Sequence, residues 1–293
     1  MTSFGIEIEF VLQPKPHTID ILKARLDYAQ EWEHKPGVPA RRVYFLDDAE
    51  RDEWNVKFDT SLVEPTRKTF GVELSSRVFS RHDQQHYWAE EINKVWGVIE
   101  CYFDIVHSTS CGTHVHVGNV SSHAFDLRDV QSLAMGVFVF DSAWKGILDW
   151  SSTNNDKYAA PNSQLTSSPA LRQASQGVNI DFPTVRNVIK SATSLPDLIR
   201  ICNGGDRRAV WNFENLQVGG LGTIEFRMPP QARSAAEAIH WAAFAMVFVD
   251  FCRLNDWSRF AIDSRGIYGW AERSGSKEML LNSRVVLFAV HCQ

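Results

Sequence analysis

The sequence predicts an α+β fold, and three features carry that reading. Short stretches alternate polar and apolar residues with the period of two that marks a half-buried strand; in the first, Phe4, Ile6, Ile8 and Phe10 oppose Gly5, Glu7 and Glu9. Longer stretches carry apolar residues at helical spacing instead. Strands and helices are interleaved without internal repeat, low-complexity tract or Gly/Ser linker, so the 293 residues read as one domain, 1–293.

Taken in order, Pro14 and Pro16 end the first strand. Residues 18–30 read as a helix with Ile21, Leu22 and Leu26 on one side. A Pro/Gly-bearing loop at 34–40 and strands around 42–46, 54–58 and 70–79 come next. Trp88, Ile92, Val95, Trp96, Ile99 and Phe103 space a long amphipathic helix. CGTHVHVGNV, residues 111–120, makes the following strand, and 126–150 a second long helix with Asp126 as its N-cap. The stretch 151–176, rich in Ser, Asn, Gln and Pro, reads as a long surface loop. Short helices follow near 184–191 and 195–202, and Gly204-Gly205 then breaks the chain. Strands at 209–218 and 222–228 meet at Gly219-Gly220, a hairpin signal. Ser234 to Glu237 forms a capping box for the last long helix.

Composition excludes several classes of function. A net charge of −5 and only isolated basic pairs leave no track for a polyanion, so neither nucleic acid nor an anionic membrane is expected as a partner. The N-terminus lacks the basic and apolar regions of a secretory signal. The apolar segment 235–254 contains Glu237, His240, Asp250 and Arg253, which suits a buried helix better than a membrane span. Five irregularly spaced cysteines point to a reducing compartment, so a soluble cytoplasmic protein is expected.

Three strands place functional groups two residues apart, and therefore on one face: Glu7/Glu9 in GIEIE, His114/His116 in THVHV and Glu225/Arg227 in TIEFR. Glu73 in FGVELSS repeats the theme once. Each pair alone also fits a plain wet sheet face; their recurrence is what points to a site. If the strands share one sheet, four carboxylates, two imidazoles and a guanidinium gather on it, a concentration that calls for cations. Carboxylate-dominated ligand sets suit Mg²⁺ or Mn²⁺, and divalent ions with an arginine form a clamp for a transferring phosphoryl group. Zinc is disfavoured. A cupin would need a glutamate after three or four intervening residues, where Val120 and Ser121 stand. There is no H-E-x-x-H, no paired C-x-x-C and no P-loop.

Six segments in order, GIEIEF, WNVKFDTSL, GVELSS, CGTHVHVG, RRAVWNFENL and GTIEFRMP, resemble the amidoligase family. That family is a branch of the glutamine synthetase and glutamate–cysteine ligase superfamily of carboxylate–amine ligases. The resemblance runs from about Phe4 to Phe251, leaving 252–293 as a C-terminal extension. It implies a curved, mainly antiparallel sheet with helices packed on one face, as in glutamine synthetase catalytic domains. It implies two or three Mg²⁺ ions, with Mn²⁺ as a substitute, and ATP. Glu9, Asp59 and Glu73 would hold one ion; Glu7, His114 and Glu225 would hold the ion nearest the γ-phosphate. His116 would reach the ATP phosphates, Arg227 would stabilise the transferring phosphoryl group, and Arg208, or Arg207 in its place, would add a phosphate contact.

The implied reaction converts a carboxylic acid to an acyl phosphate and then to an amide, with amino acids or small peptides as substrates and a specialised amide as product. Asp59 and Glu64 are the candidate bases for the incoming amine. A monomer or homodimer is expected. The family's arginine before the tyrosine that follows the second long helix is absent, since Lys157 precedes Tyr158. The segment from Ser274 matches no family pattern, and Cys111 reads as a packing residue. The alternatives are a guanidino-kinase-like phosphotransferase, a metal-dependent amide hydrolase, and an inactive binding protein.

Overall fold

The opening alternation folds as strand β1, Thr2–Pro14, the axis of the sheet. The structure, a computed structural model, describes residues 2–18, 54–59, 61–62, 66, 68–80, 87–119, 125–141, 159–176 and 180–257. Residues 19–30 of the helix expected at 18–30, the loop at 34–40, the strand at 42–46, Glu64, Lys157, Tyr158 and the segment from Ser274 lie outside these residues.

Strands β2 (Asn55–Phe58) and β3 (Phe70–Ser75) follow, then the short β4 (Phe79–Ser80). The single strand expected over 70–79 is thus two. The Ser76 hydroxyl accepts the Ile6 N–H at 2.9 Å and replaces a ladder contact. Helix α1 (Tyr87–Tyr102) runs straight into β5 (Phe103–Val106), a strand that the apolar helical spacing concealed. β6 (Thr113–Asn119) precedes helix α2 (Leu127–Val139), whose N-cap Asp126 accepts from the Asp129 N–H. This helix ends at Val139; the rest of the expected span, 142–150, lies outside the described residues.

The expected surface loop at 151–176 is corrected by its described part. Two short helices, α3 (Asn162–Leu165) and α4 (Pro169–Ala174), occupy it, and Asn162, Ser163 and Thr166 are buried. Their polar groups are satisfied inward: Asn162 bonds both the Trp211 N–H and its carbonyl, and Ser163 donates to Asp141. A polar composition therefore did not mean exposure. Helices α5 (Phe182–Ser191) and α6 (Leu195–Asn203) follow, and α6 stops at Gly204, whose φ is 59°. A Cβ there would meet the Leu165 carbonyl oxygen at 2.1 Å, so this close turn requires glycine.

The expected hairpin is looser than its sequence suggested. β7 is only Trp211–Asn212 and β8 only Ile224–Phe226, with a 3₁₀ turn, Glu214–Leu216, between them. The Asn212 side chain accepts the Glu214 N–H and turns the chain out of the strand. Helix α7 (Ala235–Leu254) closes the described fold; Ser234 caps it, and Glu237 accepts the Arg233 N–H.

The sheet is open and every named strand pair is antiparallel, in the order β2-β3-β1-β6-β8-β7, with β4 and β5 pairing on β1. This is the mixed α+β class that the sequence predicts. One face carries Phe4, Ile6, Ile8, Phe10, Val115, Val117, Ile224 and Phe226, all fully buried. α7 packs across β1 and β6 on this side. From α1, Trp88 and Trp96 meet Phe4 and Phe10 edge-on, at 5.1 and 5.3 Å between ring centroids. Burying each such phenylalanine contributes about 1.5–3 kcal/mol. Among the described residues α7 alone is long and apolar enough to cross a membrane. Here it is a packed helix whose charged residues have partners, Asp250 with Thr2 and Arg253 with Asp129.

The α2–α7 contact yields a test. A Cβ on Gly136 would lie 2.2 Å from Cys252 Sγ, in the buried seam between the two helices. Helix propensity favours alanine over glycine by about 1 kcal/mol, and overpacking costs about 1–3 kcal/mol. Gly136→Ala is therefore expected to lower the urea midpoint, against its propensity.

Candidate metal centre

The register of the antiparallel ladder assembles the polar groups, because residues paired across two strands project from the same face. Lys57, Glu73 and Glu9 form one cross-strand row. Asn55, Ser75, Glu7 and His114 form the next. Gly5, His116, Glu225 and Asn212 form the third. All lie on the face opposite the helices, since their strand neighbours fill the core. At one end this face is closed by a small apolar cluster of Val11, Leu62 and Cys111. Burial and the charge of Glu9 push the Cys111 thiol up to about 12, so it stays a neutral packing group.

Two acidic groupings result. Ligand atoms of Glu9, Asp59 and Glu73 lie within 4.8 Å of one another. Their outer contacts fix them: Gly112 N–H donates to Glu9 Oε2 at 2.6 Å, Ser61 N–H to Asp59 Oδ1 at 2.8 Å, and Ser75 Oγ to Glu73 Oε1 at 3.2 Å. Gly71 permits this, since a Cβ there would meet the Asp59 carbonyl oxygen at 2.8 Å. Burial first, then the charge of Glu7, raises the Glu73 carboxyl. Clustered carboxylates of this kind are relieved by a hard divalent cation.

Ligand atoms of Glu7, His116 and Glu225 form the second grouping, again within 4.8 Å. The sequence reading placed His114 with Glu7 and Glu225 and gave His116 to phosphate. The structure sets both imidazoles against those carboxylates. His114 Nδ1 is 3.6 Å from Glu7 and from Glu225, while His116 Nε2 is 3.2 Å from Glu7 and 3.9 Å from Glu225. His114 reaches toward the first grouping as well, for a Cβ on Gly112 would lie 2.9 Å from its Nε2 and 3.5 Å from Glu9 Oε2. His116 Nδ1 hydrogen-bonds the Thr223 hydroxyl at 3.2 Å. Its Nε2 is buried without a hydrogen bond, aimed between two carboxylates. That is a donor atom suited to a metal ion, and with the oxygen-rich neighbours it fits Mg²⁺ or Mn²⁺.

Arg227, two residues past Glu225 on the same face, ion-pairs through Nη1 with Glu225 Oε1. Its Nε is buried without a hydrogen bond. Arg207 and Arg208 lie off the three ladder rows. Both are exposed, and Arg208 holds Asp206 through Nε and Nη2, which keeps that carboxyl down at about 2. Sequence reasoning missed Asn212, Asn215 and Thr223 as contacts of the site. Asn212 had a signal: it stands between buried Trp211 and Phe213, so a strand must turn it to the opposite face.

Burial opposes the charged form of Glu7, but the adjacent imidazoles of His114 and His116 outweigh it and hold the carboxyl well below its usual range. Burial also opposes charge on Glu225, and Arg227 and the histidines lower it on balance. For His116, burial disfavours the cation, yet Glu7 and Glu225 raise it above the ordinary value. The signs define a pH window. The lowered carboxyls contribute stability present above their unfolded value near 4.5 and lost as pH falls through the folded values. The raised His116 contributes stability present below 6.5 and lost as pH rises through its folded value. In chelator, the melting temperature is expected to peak between these limits. A melting temperature that kept rising through neutral pH would contradict the His116 assignment.

A family model described as "Putative amidoligase enzyme" matches residues 1–249. No curated protein matches the chain.

Proposed function

The chain belongs to the amidoligase family, a family of amide-forming ligases acting on small molecules, and we propose that it is an ATP-dependent carboxylate–amine ligase. One observation carries the ATP-dependent part of this reading. Two carboxylate groupings, a buried imidazole nitrogen without a hydrogen bond and an arginine share one sheet face. Phosphoryl transfer needs cationic stabilisation on several phosphate oxygens at once, which two divalent ions and Arg227 would supply.

In this reading Glu9, Asp59 and Glu73 hold one divalent ion, and Glu7, His116 and Glu225 another, with His114 between them. Bound there, Mg²⁺ or Mn²⁺ supplies positive charge for the phosphate oxygens of ATP. A substrate carboxylate oxygen attacks the γ-phosphorus as the bond to the ADP oxygen breaks, giving an acyl phosphate. The amine nitrogen then attacks the acyl carbon, phosphate leaves, and the nitrogen gives up a proton to a carboxylate. Asp59, within the first grouping, is one candidate for that base and Glu64 the other. Arg227 exchanges its pairing with Glu225 for the phosphoryl oxygens and stabilises charge as it develops. The fixed sheet face holds both reactants in line. Arg208, engaged by Asp206, receives no role.

The test uses hydroxylamine as a general amine acceptor. The protein is incubated with ATP, Mg²⁺ and pools of amino acids and other carboxylic acids, and hydroxamate, ADP and phosphate are measured. A hydroxamate formed only with ATP supports the ligase and names the acid. ADP with a stable phosphorylated product and no hydroxamate would replace the ligase by a phosphotransferase.

A further inference from the structure

Behind the second ion grouping runs a chain of buried amides whose polarity the backbone fixes. Asn203, the last residue of α6, is fully buried, as are Asn212 and Glu225 at 2% and 3% exposure. Asn203 Oδ1 accepts the Phe213 N–H at 3.3 Å, so its Nδ2 must face the other way, donating to the Asp206 carbonyl and to Asn212 Oδ1 at 3.2 and 3.3 Å. Asn212 Oδ1 also accepts the Glu214 N–H at 2.9 Å. With that oxygen committed to two donors, Asn212 Nδ2 is left to point at Glu225 Oε2, 2.8 Å away. Neither amide can flip without setting an oxygen against an oxygen and orphaning a backbone N–H.

The consequence falls on Glu225. Its Oε2 is taken by Asn212, with Asn215 Nδ2 a second donor at 3.4 Å. Its Oε1 is the oxygen nearer to Arg227 and the two histidines. We propose that Asn212, held in turn by Asn203, is a positioning residue that makes Glu225 a one-oxygen ligand, presenting Oε1 to the cation and withholding Oε2. This rests on the ion-binding reading above and goes beyond it, because the asparagines act through Glu225 and are not themselves assigned as ligands. The relay also ties the site to the turn at Asp206, through the carbonyl that Asn203 holds.

The test is a Mn²⁺ titration of the full chain, following free Mn²⁺ by electron paramagnetic resonance. Outer partners of metal ligands typically govern affinity by about 10–100-fold. Asn212→Leu is expected to raise the Kd of one class of Mn²⁺ sites by that order and leave the class assigned to Glu9, Asp59 and Glu73 unchanged. Asn203→Ala should shift the same class in the same direction by less. The control is Asn162→Ala, which removes an equally buried amide bonded to the neighbouring Trp211 but out of contact with Glu225. It should leave both classes as they are. Hydroxamate formation by the Asn212 variant should recover at saturating Mn²⁺, since the loss lies in affinity. Unchanged affinity in a folded Asn212→Leu chain overturns the inference but not the ion site. So does an equal loss in Asn162→Ala, or a loss shared by both classes. If Asn212→Leu does not fold, Asn203→Ala is judged by the same criteria. An unaltered chain that binds no Mn²⁺ overturns this inference and the ion-binding reading together.

Discussion

Glu225→Gln is expected to cut ATP-dependent hydroxamate formation by at least about 10²–10³-fold, the loss seen when one fixed charge-stabilising group is removed from an active site. The substitution keeps the size of the side chain but not its chemistry. To accept from Asn212 Nδ2, the new amide must place its oxygen there and its NH₂ where Oε1 now meets Arg227. A donor would then face a guanidinium and two imidazoles, and the cation would lose an anionic ligand. Flipping the amide sets NH₂ against NH₂ at Asn212 instead. Either orientation leaves a buried clash of donors, so Mn²⁺ affinity should fall with the rate. Full activity in a folded Glu225→Gln chain would remove Glu225 from the site.

Arg227→Met should act on stability and rate together. Glu225 is almost wholly buried, and Arg227 is its direct cationic partner, with the side chain only 12% exposed. Removing one member of a buried ion pair costs about 3–5 kcal/mol, because the other charge is left uncompensated. Methionine fills part of the volume and returns little of that cost. A distinguishing result follows if Glu225 is an ion ligand: divalent metal should stabilise the variant more than the unaltered chain, since it restores a cation to Oε1. Each chain's gain is read as a shift in melting temperature on adding Mg²⁺, about 2.7 kcal/mol at 100 times its own Kd, so at one fixed Mg²⁺ concentration the tighter-binding variant should shift further. The hydroxamate rate, however, should stay about 10²–10³-fold down even with metal saturated, because in the proposed mechanism the arginine acts on the phosphoryl oxygens. Metal that rescued the rate fully would make Arg227 a structural counter-charge only.

Much of the site was legible as local pattern. Glu7/Glu9, His114/His116 and Glu225/Arg227 announce themselves because a strand repeats every two residues, so polar pairs between apolar neighbours must share a face. The core was legible for the same reason: Phe4, Ile6, Ile8 and Phe10 are the other half of that alternation and are buried. Other features misled because composition is averaged while burial is not. The stretch around Asn162 looked like a surface loop, yet its polar groups are spent on Trp211, Asp141 and Ile201 inside the fold. Phe103 completed an apolar helical spacing but begins β5, where pairing with β1 decided the matter.

By itself, then, the sequence determined which residues could be chemical and which face each would occupy, since period and side-chain type are local properties. It also determined the family, through motifs that keep their order along the chain. The tertiary structure decided which groups meet. Register put Glu73 opposite Glu9 and Glu225 opposite His116, and a slip of one residue would have sent either partner into the core. It aimed both imidazoles at Glu7 and Glu225, left Arg208 to Asp206, and recruited Asn203 and Asn212 behind Glu225. Those outcomes depend on hydrogen bonds between residues far apart along the chain, which no local periodicity encodes.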